Sequence, residues 1–170
     1  MAEPPPPHPA ALAWRQRLDL RPHPEGGWFR EVFGEKLMVT PEDGRGTRRA
    51  LTAIYYLLEA GQHSRWHKVK SAEAWTLLDG GPLALGTFDA ATGLFKEHRL
   101  AAVAEDSTAE PLRVVPAGMW QAAYPISEYA LAACVVGPGF EWADFAWLKD
   151  DAAARAAMRA KAPEPWGDFG

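Results

Sequence analysis

Gly61-Gln62-His63-Ser64-Arg65-Trp66-His67-Lys68-Val69-Lys70-Ser71-Ala72-Glu73, followed by Gly80, is the stretch on which the reading of this chain turns. It sets imidazoles and a carboxylate between glycines, and the even offsets from His67 to His63 and Val69 put all three on one face of an unbroken strand. On either side lie β-prone runs, Ala53 to Leu58 and Ala74 to Leu78. The pattern continues outward through Trp28 to Phe33, Leu83 to Phe88, Phe95 to Leu100, Leu112 to Val115 and Tyr129 to Val136. Turn residues separate most of these runs and no helix-length pattern intervenes, which predicts an antiparallel sandwich or barrel rather than a parallel sheet. A jelly roll fits the spacing.

Two short helices flank this β region. Ala10 to Leu18 mixes Leu12, Trp14 and Leu18 with Arg15, Gln16 and Arg17, and the alanine-rich Asp150 to Lys161 has high helix propensity and is stopped by Pro163. Residues 1–9 form a proline-rich tail expected to be disordered, with His8 belonging to it, and residues 10–170 form one domain. Gly34 to Arg49 reads as an exposed loop. With 170 residues, 48% of them hydrophobic and 8 of them Trp, the chain has enough apolar surface for one core. A net charge of −4 offers no basic excess for a phosphate backbone, so nucleic acid is not an expected partner. No membrane-length apolar run and no signal-like N-terminus stand out, so the expected compartment is the cytoplasm, with no membrane partner. The single cysteine, Cys134, lies in an apolar run and reads as a buried core thiol rather than a nucleophile.

The quoted stretch resembles the first motif of the cupin superfamily, with His67 at the first histidine, Glu73 at the glutamate, Gly61 and Gly80 at the glycines, and Val69 where a second metal-binding histidine normally stands. Pro116-Ala117-Gly118-Met119-Trp120-Gln121 resembles the second motif, with Gln121 in place of its histidine. His23-Pro24-Glu25-Gly26-Gly27-Trp28-Phe29-Arg30-Glu31 and Pro138-Gly139-Phe140-Glu141-Trp142-Ala143-Asp144-Phe145 are similar to further signatures of one subgroup, DUF985. The likeness runs from about residue 10 to 150. It implies an all-β, RmlC-like jelly roll (a double-stranded β-helix sandwich with short flanking helices), a homodimer, and an activity not yet established for the subgroup. Where the subgroup usually has Ser-Asp-Glu-x-Trp-His, this chain has Ser71-Ala72-Glu73-Ala74-Trp75-Thr76, so an acidic residue and a pocket histidine are missing.

A metal in such a barrel needs three or four converging ligands. Here His67 and Glu73 are good ligands, Gln121 offers at best a neutral oxygen, Val69 offers nothing, and His63 could supply a further nitrogen. No cofactor is therefore the preferred reading, with a divalent transition metal on His67, Glu73, Gln121 and His63 as the alternative. Without metal, His67 and Glu73 are the candidate catalytic acid–base pair, in a mouth lined by Phe29, Tyr55, Trp66, Trp75 and Trp120, with Gln121 beside them. Each of these aromatics can equally be sandwich core. The His23 to Glu31 segment reads either as a lid, with Arg30 clamping a ligand anion beside His23 and Glu25, or as a tight turn with Arg30 and Glu31 as surface charges. His98, among charged neighbours, reads as a solvated residue. The expected ligand is a small polar cyclic metabolite, a sugar or nucleotide derivative. Three functions follow: an isomerase- or epimerase-like enzyme, a non-catalytic binding or sensor module, and a metal-dependent enzyme with atypical ligands.

Overall fold

Alternation along the central strands sets the architecture, because residues two apart share a face. On Thr52–Glu59 (β5), Ile54, Tyr56 and Leu58 turn inward while Tyr55 and Leu57 face out. The computed structural model describes residues 6–102 and 108–169; residues 1–5 of the expected tail lie outside the described residues. In chain order the other strands are Arg21–Pro22 (β1), Trp28–Gly34 (β2), Met38–Val39 (β3), Arg48–Arg49 (β4), His67–Val69 (β6), Ala72–Gly80 (β7), Leu83–Asp89 (β8), Leu94–Leu100 (β9), Leu112–Val115 (β10), Trp120–Pro125 (β11), Tyr129–Gly137 (β12) and Phe145–Trp147 (β13).

They form an antiparallel jelly roll of a six-stranded sheet, β1-β2-β5-β12-β7-β10, facing a five-stranded sheet, β13-β6-β11-β8-β9. Between the sheets lies a core that includes Tyr56, Leu58, Trp75, Leu83, Leu85, Ala132 and Cys134. A second core, built on Trp66, Phe88, Trp120, Met158, Trp166 and Phe169, covers the outer face of the smaller sheet. Gly86 makes room for it: a Cβ there would meet the Trp166 ring at 2.7 Å. A third, under Pro9–Arg17 (α1), buries Ala11 against Leu57 and Leu131 on the outer face of the larger sheet.

Most expected elements recur within a residue or two, and β1, β3, β4, β6, β11 and β13 are additions. His8, assigned to the tail on sequence grounds, instead caps α1 by accepting a bond from Ala10 N at 3.2 Å and stacks on Tyr129. The second helix runs Ala152–Arg159 (α2), shorter than expected because Asp151 caps it, its carboxylate accepting from Ala154 N at 2.9 Å. The Gly34 to Arg49 segment is not a free loop. It carries the β3–β4 hairpin, and Arg48 grips the Asp144 carboxylate through two bonds of 2.8 and 2.9 Å while Arg45 reaches Ser71 Oγ at 2.9 Å. His98 is half-buried, its Nε2 3.1 Å from Thr87 Oγ1. Among the described residues no helix is long and apolar enough to cross a membrane.

Candidate functional site

Three strands supply the floor of the site. His67 on β6 lies directly across from Gln121 on β11, and Glu73 and Trp75 project toward them from β7 in the facing sheet. The indole of Trp75 can only donate, and its Nε1 sits 3.0 Å from Gln121 Oε1. The amide oxygen of Gln121 therefore faces Trp75 and its NH2 faces the other way. That NH2 donates to His67 Nε2 at 3.2 Å and to Glu73 Oε2 in a short bond. His67 Nε2 thus carries a lone pair, and its Nδ1–H donates to Arg65 O at 2.7 Å. One indole proton fixes the whole chain of orientations.

A fourth segment closes over this floor. Gly26 and Gly27 take φ of 107° and 67°, and Cβ atoms there would meet His63 O at 2.3 Å and Leu57 O at 2.5 Å, so only glycine admits the turn. The turn brings Glu25 inside, with Oε2 3.5 Å from His67 Nε2 and 3.9 Å from His23 Nδ1. His23 Nδ1 accepts from Glu25 N at 3.1 Å, so it too presents a lone pair, and Tyr56 Oη donates to Gly26 O at 2.8 Å.

Burial governs the charges. It pushes His67 down to about 4, and burial with the nearby His67 does the same to His23. Burial lifts Glu73 to about 7 against the opposing bonds from Gln121 and Cys134. Glu25 is held well above the carboxylate range by burial and by Glu73. The His67–Glu25 separation would suit an ion pair, but both groups are pushed toward neutrality, so this is a neutral pair. The imidazole also stacks on Phe145, with ring centroids 5.3 Å apart.

These groups open into a cavity of about 300 Å³ walled by Phe29, Tyr56, Trp75, Phe140 and Trp142, with Val69, Ile54 and Cys134 also lining it and Glu31, Arg49 and Glu141 at the exposed rim. The structure thus brings together His23, Glu25, Phe29, His67, Glu73, Trp75 and Gln121. Other candidates lie elsewhere. Arg30 is exposed, because Phe29 beside it takes the inward face of β2. Tyr55 packs near α1. Trp66 and Trp120 lie in the second core, the first donating to Trp166 O at 2.9 Å and the second beneath Lys68 Nζ. His63 stacks on Phe169 at 4.2 Å, because extended structure begins only at His67. Tyr56, Phe140, Trp142 and Phe145 were not picked out as site residues. The strand phase of β5 signals the first, and the aromatic cluster after Pro138 signals the rest.

The residues do not fit a transition metal. Val69 supplies no donor, and Gln121 turns N–H groups, not its oxygen, toward His67 and Glu73. Among the described residues no group of three or more His, Cys, Asp or Glu is gathered to hold one. His63 is turned to Phe169 and adds nothing to the set.

The chain belongs to the family described as Cupin superfamily (DUF985), which matches residues 13–148. A hypothetical protein from Leishmania major is 28% identical, with a TM-score of 0.76 over 91% of this chain and 99% of that one. A protein from Shewanella oneidensis is 23% identical, with a TM-score of 0.76 over 92% and 94%. An oxalate decarboxylase from Bacillus subtilis shares the fold at 18% identity, with a TM-score of 0.57 over 90% of this chain and 37% of that one. No curated protein matches the sequence.

Proposed function

We propose that the cavity binds a small polar cyclic metabolite, a sugar or nucleotide derivative, and moves a proton on it in an isomerase- or epimerase-like reaction. The observation that carries this reading is a pair of buried carboxyls with different proton affinities at one imidazole edge inside an aromatic-walled cavity. Glu73, titrating near 7, is matched to take a proton from carbon and return it. Glu25, held protonated, is matched to donate to the oxygen on which charge develops as that C–H bond breaks. His67, kept neutral and fixed by Gln121 and Arg65, offers its ring as a rigid wall against which the ligand is oriented. In the balanced step the carbon–hydrogen pair stays on carbon as an enolate, the proton sits on Glu73, and its return to either face regenerates the carboxylate.

Incubation in deuterium oxide with carbonyl sugars that bind should wash deuterium into the carbon beside the carbonyl, read by proton NMR. Glu73→Gln should abolish the exchange and His67→Asn should slow it. If ligands bind and none exchanges, the binding or sensor reading replaces this one. That second reading is favoured by one observation: the rigid Trp75–Gln121–His67 chain suits a clamp as well as a reaction. A metal-dependent reaction fits poorly with the amide N–H groups of Gln121. The reading also includes a homodimer, supported by Leu112 and Val114, exposed on the edge strand β10 beside an exposed Leu78. Light scattering at micromolar concentration should give twice the 18.6 kDa chain mass, and a monomer would refute it.

A further inference from the structure

We infer that the ligand presents a protonated amine, seated between Glu25 and Glu73. The inference rests on the reading that this cavity is the ligand site, and it names the charge class that the site takes. Donors and acceptors facing the cavity are unequal. Both N–H groups of the Gln121 amide are spent on His67 and Glu73, the Trp75 N–H on Gln121, and the Tyr56 O–H on Gly26 O. The Thr52 hydroxyl accepts from Phe140 N at 3.0 Å and keeps its own O–H, while the imidazole lone pairs of His67 and His23 are taken by Gln121 and by Glu25 N. The unpaired group is the Glu25 carboxyl, which lines the same cavity as Glu73.

Glu25 is the decisive group. Its side chain is only 10% exposed, and its carboxyl makes no hydrogen bond among the described residues, being 3.5 Å and 3.9 Å from two imidazole nitrogens that already accept from Gln121 and from Glu25 N. A buried carboxyl surrounded by acceptors costs free energy unless a proton or a donor sits among them. An ammonium brings up to three N–H donors, enough for Glu25 and Glu73 together. The surroundings carry the same sign. Glu31 and Glu141 add carboxylates at the rim, and the one rim guanidinium, Arg49, is held by Glu31 at 3.3 Å. Phe29, Tyr56 and Trp75 present ring faces or edges to the same space, and faces favour a cation. A phosphate or carboxylate would instead be placed against two buried carboxyls, with Glu31 and Glu141 at the rim adding like charge, which disfavours the phosphate of a nucleotide in the depth of the cavity. An organic ammonium fits better than a metal ion because it brings N–H donors to the carboxyls, whereas a metal needs converging lone pairs that Gln121 and Val69 do not supply.

The test is a matched set of probes at pH 7, read by calorimetry and ligand-observed NMR: glucosamine, glucose and glucose 6-phosphate, with cyclohexylamine, cyclohexanol and cyclohexanecarboxylate as a second series. The expected result is that in at least one series the amine binds about tenfold more tightly than its neutral partner and the anion does not bind. Glu25→Gln, isosteric and neutral, should erase that preference, and Glu73→Gln should do so if the first variant fails to fold. Equal or tighter binding of an anion would overturn the inference, as would an amine preference that survives both variants. No binding of either amine at 10 mM, or zinc or nickel ion binding lost in Glu25→Gln, would overturn it as well. Selective amine binding without deuterium exchange leaves this inference standing and removes the catalytic reading. Exchange with neutral or anionic ligands does the reverse.

Discussion

The two faces of the smaller sheet are built from neighbouring residues and have opposite characters. Trp66 and Trp120 go to the outer face, where Trp166 and Phe169 lock over them in a dry aromatic core. His67 and Gln121, one residue further along, go to the inner face, where ionisable groups border open space. The sheet is a partition one residue thick. On one side packing dominates, with the Trp120 indole nitrogen buried without a partner; on the other, groups are held away from the protonation states they prefer in water, and the packing opposite compensates for the cost. The candidate site lies on the destabilised side of a wall that its own neighbours stabilise.

The largest change should come from the closed side. Trp166→Ala removes a fully buried ring that contacts Trp66, Phe95, Tyr124 and Phe169, and should cost about 3–5 kcal/mol in denaturant unfolding. If it costs under about 1 kcal/mol, the outer face is not the support described. Next comes the open side, where stability should depend on pH. Glu73 has its folded value raised from 4.5 to about 7, so the stability of its protonated form is fully present below 4.5 and lost as pH rises through 7. His67, lowered from 6.5 to about 4, has the opposite sense: its contribution is present above 6.5 and lost as pH falls through 4. The opposing slopes leave a plateau between those ordinary values, 4.5 and 6.5. Glu73→Gln should therefore change little near pH 5 and gain on the order of 3 kcal/mol above pH 8, measured by melting across pH. A pH-independent effect would mean Glu73 is not held protonated.

Smaller still, Gln121→Leu strips the amide that satisfies both the Trp75 N–H and Glu73 and should cost about 1–3 kcal/mol. It should also move the alkaline limb, because Glu73 loses the bond that lowers its proton affinity. The smallest effect is expected at Arg30→Ala. Exposed and turned from the cavity, it should stay within about 0.5 kcal/mol of the parent and leave probe binding unchanged. A lost ligand response there would restore the anion clamp and break the contrast between the faces.

The strands of the larger sheet were legible because β-branched and aromatic residues alternate along them, and His67, Glu73 and Gln121 were legible from motif spacing. What was not legible was phase. Trp66 beside His67 and Trp120 beside Gln121 were grouped with the site because they adjoin it in sequence, yet adjacency in a strand means opposite faces. Tyr55 was chosen over Tyr56 for the same lack of phase. β6 is three residues long and β11 begins Trp-Gln-Ala-Ala, too short or too alanine-rich to announce a strand. The covering of the outer face by Trp166 and Phe169 depends on partners some hundred residues away, as in the Trp66–Trp166 bond, and no local pattern encodes that.

The segment from Trp166 to Phe169 also has a mechanical meaning. Trp66 N donates to Phe169 O at 3.0 Å and the Trp66 indole donates to Trp166 O at 2.9 Å, so this segment is fastened to the residue immediately before His67. Tension applied to this segment, by a fusion partner or a surface to which it is tethered, is delivered one peptide unit from the imidazole. The segment is a handle on the site, and a probe attached to it would report the strain that the site feels.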